Sequence, residues 1–486
     1  MVETTNGRVR GLAGDGVIEF RGIPYGGDTG GRNRFIPPTP VTQWSGVRKA
    51  TEWGHVAPQP VSANPAAYDR MTGWTNFRGG MSEDCLVVNI WTPAVDAKKR
   101  AVMVMIHGGG FTAGSGNLVA LEGQFMARAG DVVVVTINHR LGALGYSDLS
   151  AFGGPDLAAS GNVGMMDIVQ ALQWIHDNIE AFGGDPTRIA LSGQSGGGGK
   201  VSTLLSMPSA KGLFHRAVIQ SGSTIRVSTH DVAQANVQQM LDRLGIAKGD
   251  LAKLRSLPFE QIISAQGRHG PVVDGAVVPR QPFDPDAPAI SIGVPMIIGT
   301  CREDFGFALP DQSDTEESLR AYVEQQAPGH TAEVLETYRR FYPAKRPYLI
   351  KAMISTDAGV ARSAATQARL KAAQGGAPAY AYRWDWPIPG QNGRWGAVHG
   401  SDLSLSMSNP TTDMTMNTPE AQMMSRRIGQ AVIAFTKTGD PNCDEIPNWP
   451  TYDAERRPVM VFDSETRVVD DPDREIRLMW DRLKPA

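Results

Sequence analysis

Cysteine is scarce in this chain: Cys85, Cys301 and Cys443 are the only three among 486 residues. Three thiols cannot supply a disulfide framework, so the fold must rest on a buried apolar core, and a reducing, cytoplasmic setting is expected. Long apolar runs are missing too. None approaches the roughly 20 residues that cross a bilayer, which excludes a helical membrane span. No block of basic residues marks a nucleic-acid or membrane surface; 47 Lys and Arg stand against 50 Asp and Glu, a net charge of −3. Met1–Thr5 carries no basic segment followed by an apolar core, so no signal peptide is expected there. Internal repeats and low-complexity tracts are also lacking.

Glycine is abundant, at 54 residues, and one cluster of it is the most informative feature. Gly193-Gln194-Ser195-Gly196-Gly197 is a G-x-S-x-G frame. The run Arg188–Leu191 before it reads as a buried strand, and Lys200–Ser206 after it can start a helix. A sharp strand-to-helix turn holds its serine clear of the sheet, where a substrate can reach it. A serine nucleophile needs a base, an acid to orient that base, and donors for an oxyanion.

Donors are found first. The apolar strand Ala101–Ile106 runs into His107-Gly108-Gly109-Gly110-Phe111, a loop whose backbone can approach a developing oxyanion closely. The N–H groups of Gly109, Gly110 and Gly196 are the expected donors. His399, in a loop after the strand-like run Tyr380–Trp386, is the best of nine histidines for the base; His269 is its competitor, and His107 and His176 read as structural. The acid should follow the strand Val294–Thr300, where Glu303 and Asp304 are adjacent; one of the two is expected to face solvent or Arg302. The order serine, acid, histidine is that of α/β-hydrolase triads. A phosphate loop at Gly196–Lys200 fails on spacing, because Gln194 and Val201 stand where glycine and a hydroxyl residue are required.

The chain resembles the type-B carboxylesterases, the family of bacterial para-nitrobenzyl esterases and the cholinesterases. The resemblance rests on Phe20-Arg21-Gly22-Ile23-Pro24-Tyr25, Ser82–Pro93, Asn138-His139-Arg140-Leu141-Gly142, Gln220-Ser221-Gly222 and Asn448-Trp449-Pro450, and runs nearly the whole length. It implies an α/β-hydrolase fold with a mostly parallel sheet flanked by helices and large insertions. It also implies ester hydrolysis through Ser195 and His399 without metal or organic cofactor. The family's triad acid falls on Asp304 in Gly299–Phe305, an aspartate where the family has glutamate, with Glu303 as the alternative. Its second serine near the triad falls on Ser221. The family's usual G-E-S-A-G departs here: Gln194 removes a negative charge beside the site, and Gly196 should loosen the elbow and enlarge the space beside the oxyanion hole. The cysteine that normally pairs with the position of Cys85 is absent from Ala57-Pro58-Gln59.

Further expectations complete the reading. Strands are expected near 86–91, 101–106, 131–137, 188–191, 217–221, 294–299, 379–385 and 458–462, and helices over 165–181, 232–244 and 425–437. The Gly-Pro stretches at 26–40 and 58–73 read as surface loops. The site elements spread from residue 107 to 399 without a linker, so residues 1–486 are expected to form a single domain. Phe111 and Trp395 adjoin the catalytic loops and are the expected substrate-binding aromatics. The expected substrate is a small-molecule ester, aryl or short-chain, and the expected state is a monomer or weak homodimer. A lipase, an amidase, a specialised detoxifying esterase and an inactive binding module are the alternatives.

Overall fold

The computed structural model describes residues 1–62, 65–74 and 78–485. Its strands are β1 (Val2–Thr4), β2 (Gly7–Arg10), β3 (Leu12–Gly14), β4 (Val17–Pro24), β5 (Val47–Lys49), β6 (Val87–Thr92), β7 (Arg100–Ile106), β8 (Val133–Ile137), β9 (Gly184–Gln194), β10 (Arg216–Gln220), β11 (Met296–Cys301), β12 (Ala379–Trp384), β13 (Pro458–Phe462) and β14 (Arg467–Asp470). Eleven of them form one sheet in the order β14-β13-β12-β11-β10-β9-β7-β8-β6-β4-β3, and β1, β2 and β5 form a small second sheet. The stretch from β13 to β8 is parallel, and the edges turn antiparallel.

Every one of the eight expected strands is present. Each is an apolar run buried on both faces, which is how a parallel strand covered by helices reads. In β7, Val102, Val104 and Ile106 enter the core on one face, while Ala101, Met103 and Met105 enter the core on the other. Burying each of the valine, isoleucine and methionine side chains contributes about 1.5–3 kcal/mol. Of the strands that were not expected, β1, β2, β3, β5 and β14 are short, and β3 and β5 are exposed along their length; β4 is longer, but a register shift between Phe20 and Ile23 sets its buried residues three apart and breaks the strand alternation.

The three expected helices appear as Val163–Asn178, His230–Leu244 and Pro419–Thr438. The last starts six residues earlier than its apolar spacing suggested, because Thr418 caps it by accepting from the N–H of Ala421 and Pro419 opens the first turn. Residues 58–73 are not loop throughout: a short helix spans Ala67–Thr72, and residues 63 and 64 lie outside the described residues. Among the described residues no helix is long and apolar enough to cross a membrane.

Parallel registry brings the strand ends together. Gly193 in β9 pairs with Ile106 in β7 and Ile219 in β10, and Gln220 pairs with Gly299 in β11. The loops carrying Gly109, Ser195, Ser221 and Asp304 therefore leave one edge of the sheet, the edge at which ligands bind in open α/β sheets.

Candidate active site

Ser195 occupies the turn between β9 and the helix Gly196–Leu204 with φ 58° and ψ −127°. This conformation is costly for a residue with a side chain and persists only where its surroundings enforce it. Here they do so by hydrogen bonds: the Ser195 N–H donates to the Gln220 carbonyl at 2.7 Å, and its carbonyl accepts from Gly199 N–H at 3.0 Å.

Histidine and acid arrive on two loops joined by backbone pairing. Glu303 N–H donates to the Ala397 carbonyl at 3.1 Å, and His399 N–H donates to the Asp304 carbonyl at 3.0 Å. With the loops so fastened, His399 Nδ1 hydrogen-bonds Asp304 Oδ1, and Asp304 Oδ2 accepts from Cys301 N–H at 3.1 Å. The shorter aspartate side chain therefore reaches the ring. Glu303 points elsewhere. Its Oε1 lies 2.6 Å from Lys345 Nζ, and its Oε2 accepts from Ala397 N–H at 2.8 Å. Neither carboxylate faces solvent or Arg302, contrary to the expectation for this pair; Arg302 is matched instead to Asp357 and Asp473. Phe305 and Phe307 flank the imidazole at 5.0 and 5.4 Å between ring centroids, and Tyr68 Oη donates to the His399 carbonyl at 2.6 Å.

The far nitrogen of that ring has a partner the sequence did not announce. His399 Nε2 lies 3.1 Å from the Gln194 side-chain Nε2, while Gln194 Oε1 is buried without a hydrogen bond. With Nδ1–H given to Asp304, Nε2 carries a lone pair that the Gln194 amide can meet with an N–H.

The glycine loop His107–Phe111 is turned inside out. Gly109 has φ 87° and Gly110 φ 63°, values that only glycine takes without strain. Its carbonyls are occupied from behind: Gly108 O by His107 Nδ1, Gly109 O by the N–H groups of Thr112 and Ala113, and Phe111 O by Gly142 N–H. The N–H groups of Gly109 and Gly110 donate to no backbone or side-chain acceptor among the described residues. Gly196 is the first residue of its helix, where N–H groups lack an intrahelical acceptor. The space beside Gly196 is not enlarged, as had been expected: the Gly110 carbonyl oxygen fills it, 2.0 Å from where a Cβ would stand.

Other singled-out residues divide. Phe111 is half-buried and packs edge-on against Tyr146. Trp395 is 2% exposed, meets Tyr68 and Tyr348 and donates to Gln391 Oε1, so it supports the histidine loop rather than lining an open cleft. Ser221 has φ 48° and a buried hydroxyl without a hydrogen bond, and does not join the Asp304–His399 pair. His107 is buried and stacked on His139 at 4.9 Å; burial, aided by Lys200, pushes its pKa down to about 3. Burial pushes His269 to about 4 and lifts the Cys301 thiol far above its usual range, leaving both uncharged. The three cysteines are free, and Gln59 makes its own hydrogen bonds to Gly114 in the stretch where the cysteine is missing.

A strained serine at a strand-to-helix turn, above a mostly parallel sheet with helices on both faces, defines the α/β-hydrolase fold. A model of the carboxylesterase family matches residues 1–478, and the chain belongs to that family. It is 34% identical to the para-nitrobenzyl esterase of Bacillus subtilis (strain 168), over 98% of this chain and 97% of that one. Phenmedipham hydrolase of Pseudarthrobacter oxydans is 33% identical over 96% and 95% of the two chains. A crystal structure of the Geobacillus stearothermophilus carboxylesterase superposes with a TM-score of 0.85 at 36% identity, covering 99% of each chain. The protein is thus a hydrolase of carboxylic esters.

Proposed function

We propose that the chain hydrolyses small aryl or short-chain esters in two acyl-transfer steps through Ser195, His399 and Asp304. The observation that carries this reading is the placement of His399, with Nδ1 on a buried carboxylate and Nε2 beside the side-chain amide of Gln194, the residue before Ser195. Attack on the ester carbonyl begins when Nε2 exchanges the Gln194 amide for the Ser195 hydroxyl and takes its proton. Asp304 holds the ring and stabilises the imidazolium. The N–H groups of Gly109, Gly110 and Gly196 receive the oxyanion, each worth about 3 kcal/mol when well aimed. His399 then protonates the leaving alcohol, and water, deprotonated by the same ring, releases the acid from Ser195.

A relative named for para-nitrobenzyl ester cleavage supports an aromatic ester. We further infer a single catalytic domain, a monomer or weak homodimer in the cytoplasm, with no cofactor. The test is a fluorophosphonate label followed by peptide mapping, alongside p-nitrophenyl esters of increasing acyl length. Labelling at Ser195 that is lost in His399→Ala, with turnover highest on short chains, is expected. An unlabelled Ser195 in an active enzyme would end the proposal.

A further inference from the structure

A lysine that the catalytic reading leaves unused lies directly behind the oxyanion loop. Lys200 is in the helix that follows Ser195 and is 0% exposed. Among the described residues it has no carboxylate within ion-pair distance. Its Nζ instead donates to the Gly110 carbonyl at 2.7 Å and to the His107 carbonyl at 3.2 Å, and sits 5.1 Å from the centre of the Phe111 ring. All three partners belong to the loop that carries the donors. The titratable groups facing it are His107 and, behind it, His139, both held neutral; the next cation, Arg140, is matched to Asp167. Burial pushes the amine down to about 7. A core packed for stability alone would not keep such a group, because an unpaired buried ammonium is expensive.

We propose that Lys200 is a positioning residue of the oxyanion hole: by holding the Gly110 and His107 carbonyls turned inward, it aims the Gly109 and Gly110 N–H groups at the substrate carbonyl. Peptide geometry makes the link. Each carbonyl is rigidly coplanar with the N–H of the next residue, so fixing the carbonyls at both ends of a glycine segment limits the rotation of the peptides between them. The close approach of Gly110 to Gly196 completes the clamp, since the oxygen that Lys200 holds is the one that fills the missing side chain of Gly196. The loop glycines, free to rotate on their own, gain an anchor without a side chain in the site.

This inference rests on the Ser195 esterase reading, and its experiment separates the two. Wild type, Lys200→Met and Lys200→Gln are compared for kcat and KM on p-nitrophenyl butyrate, for fluorophosphonate labelling, and for inhibition by a trifluoromethyl ketone, whose hemiketal oxygen occupies the hole. Lys200→Met is expected to lower kcat by about 10- to 100-fold, short of or equal to the loss of one donor, with KM changed less than about threefold. The ketone should weaken in parallel with kcat/KM, as required of a transition-state analogue. Lys200→Gln, which retains an N–H donor, should recover part of the loss; it carries the same comparison if the methionine variant does not fold. Wild-type kcat in Lys200→Met, or a kcat loss with unchanged ketone affinity, would overturn the proposal. An unlabelled wild type would instead overturn the esterase mechanism.

Discussion

Placing alanine at position 196, the residue the family usually carries there, should damage this enzyme. A Cβ built on Gly196 falls 2.0 Å from the Gly110 oxygen and 2.4 Å from the Gly110 carbonyl carbon and Cα, where real Cβ atoms stay beyond 3.0 Å. The two backbones must separate by about 1 Å. The helix start cannot give way, because Ser195 is held by Gln220 and Gly199 on either side. Gly110 can, being exposed at the tip of a glycine loop. Its shift stretches the 2.7 Å bond to Lys200 and moves the Gly110 N–H, a proposed oxyanion donor, out of line. A misplacement of about 1 Å can lower the rate about 100-fold, and losing one donor lowers it about 10²–10³-fold. In the helix itself alanine is favoured over glycine by about 1 kcal/mol, so thermal stability should change little. Stopped-flow and steady-state hydrolysis of p-nitrophenyl butyrate, with calorimetry on the same samples, would check this. A Gly196→Ala enzyme whose kcat lies within threefold of wild type would refute the idea that the Gly110 backbone needs that space.

Asp304→Asn should lower kcat by about 10⁴-fold, as loss of the ring-orienting carboxylate does in such triads, whereas Glu303→Gln, which loses only the Lys345 pair, should stay within about tenfold of wild type; the reverse ranking in the same kinetic assay would move the acid by one residue. Gln194→Glu should shift the acid limb of kcat/KM to higher pH, since a carboxylate beside Nε2 favours the imidazolium over the free base; pH–rate profiles of the two enzymes measure it. Lys200→Met should gain stability relative to wild type near and below pH 7. Folding depresses this amine to about 7, so between pH 7 and the unfolded value near 10.5 only the unfolded chain holds the proton, and wild-type stability rises with pH there. The difference between the two unfolding curves should therefore shrink as pH rises through that window, by at most about 1.4 kcal/mol per pH unit; a difference independent of pH would contradict it.

The central fold was legible because its signals are local. A doubly buried parallel strand is a continuous apolar run, and the turn after β9 demands small residues around one serine. The mostly short outer strands, the helix Ala67–Thr72 inside a Gly-Pro stretch, and the helices Glu316–Gln326, Thr331–Phe341, Pro347–Ala358, Val360–Ala373 and Arg474–Leu483 were not, since none of them carries a continuous apolar run like those of the central strands. At the site, chemistry separates by range in the same way. Residue type and order sufficed to single out Ser195, His399 and the glycines of the His107–Phe111 loop as candidates. Whether Asp304 or Glu303 meets the imidazole depends on which way two adjacent side chains point, and that is decided by the pairing of their loop with residues 397–399.

By itself, then, the sequence determined the strand–turn–helix unit and the supply of groups able to cleave an ester, because glycine at a fixed spacing and apolar periodicity act through neighbouring residues. Only the tertiary structure decided the rest: the partner of Asp304, the Gln194 amide on Nε2, the burial of Trp395, and Lys200 behind Gly110. Each joins residues from different segments through angstrom-scale distances, and hydrogen bonds and desolvation depend on those distances alone.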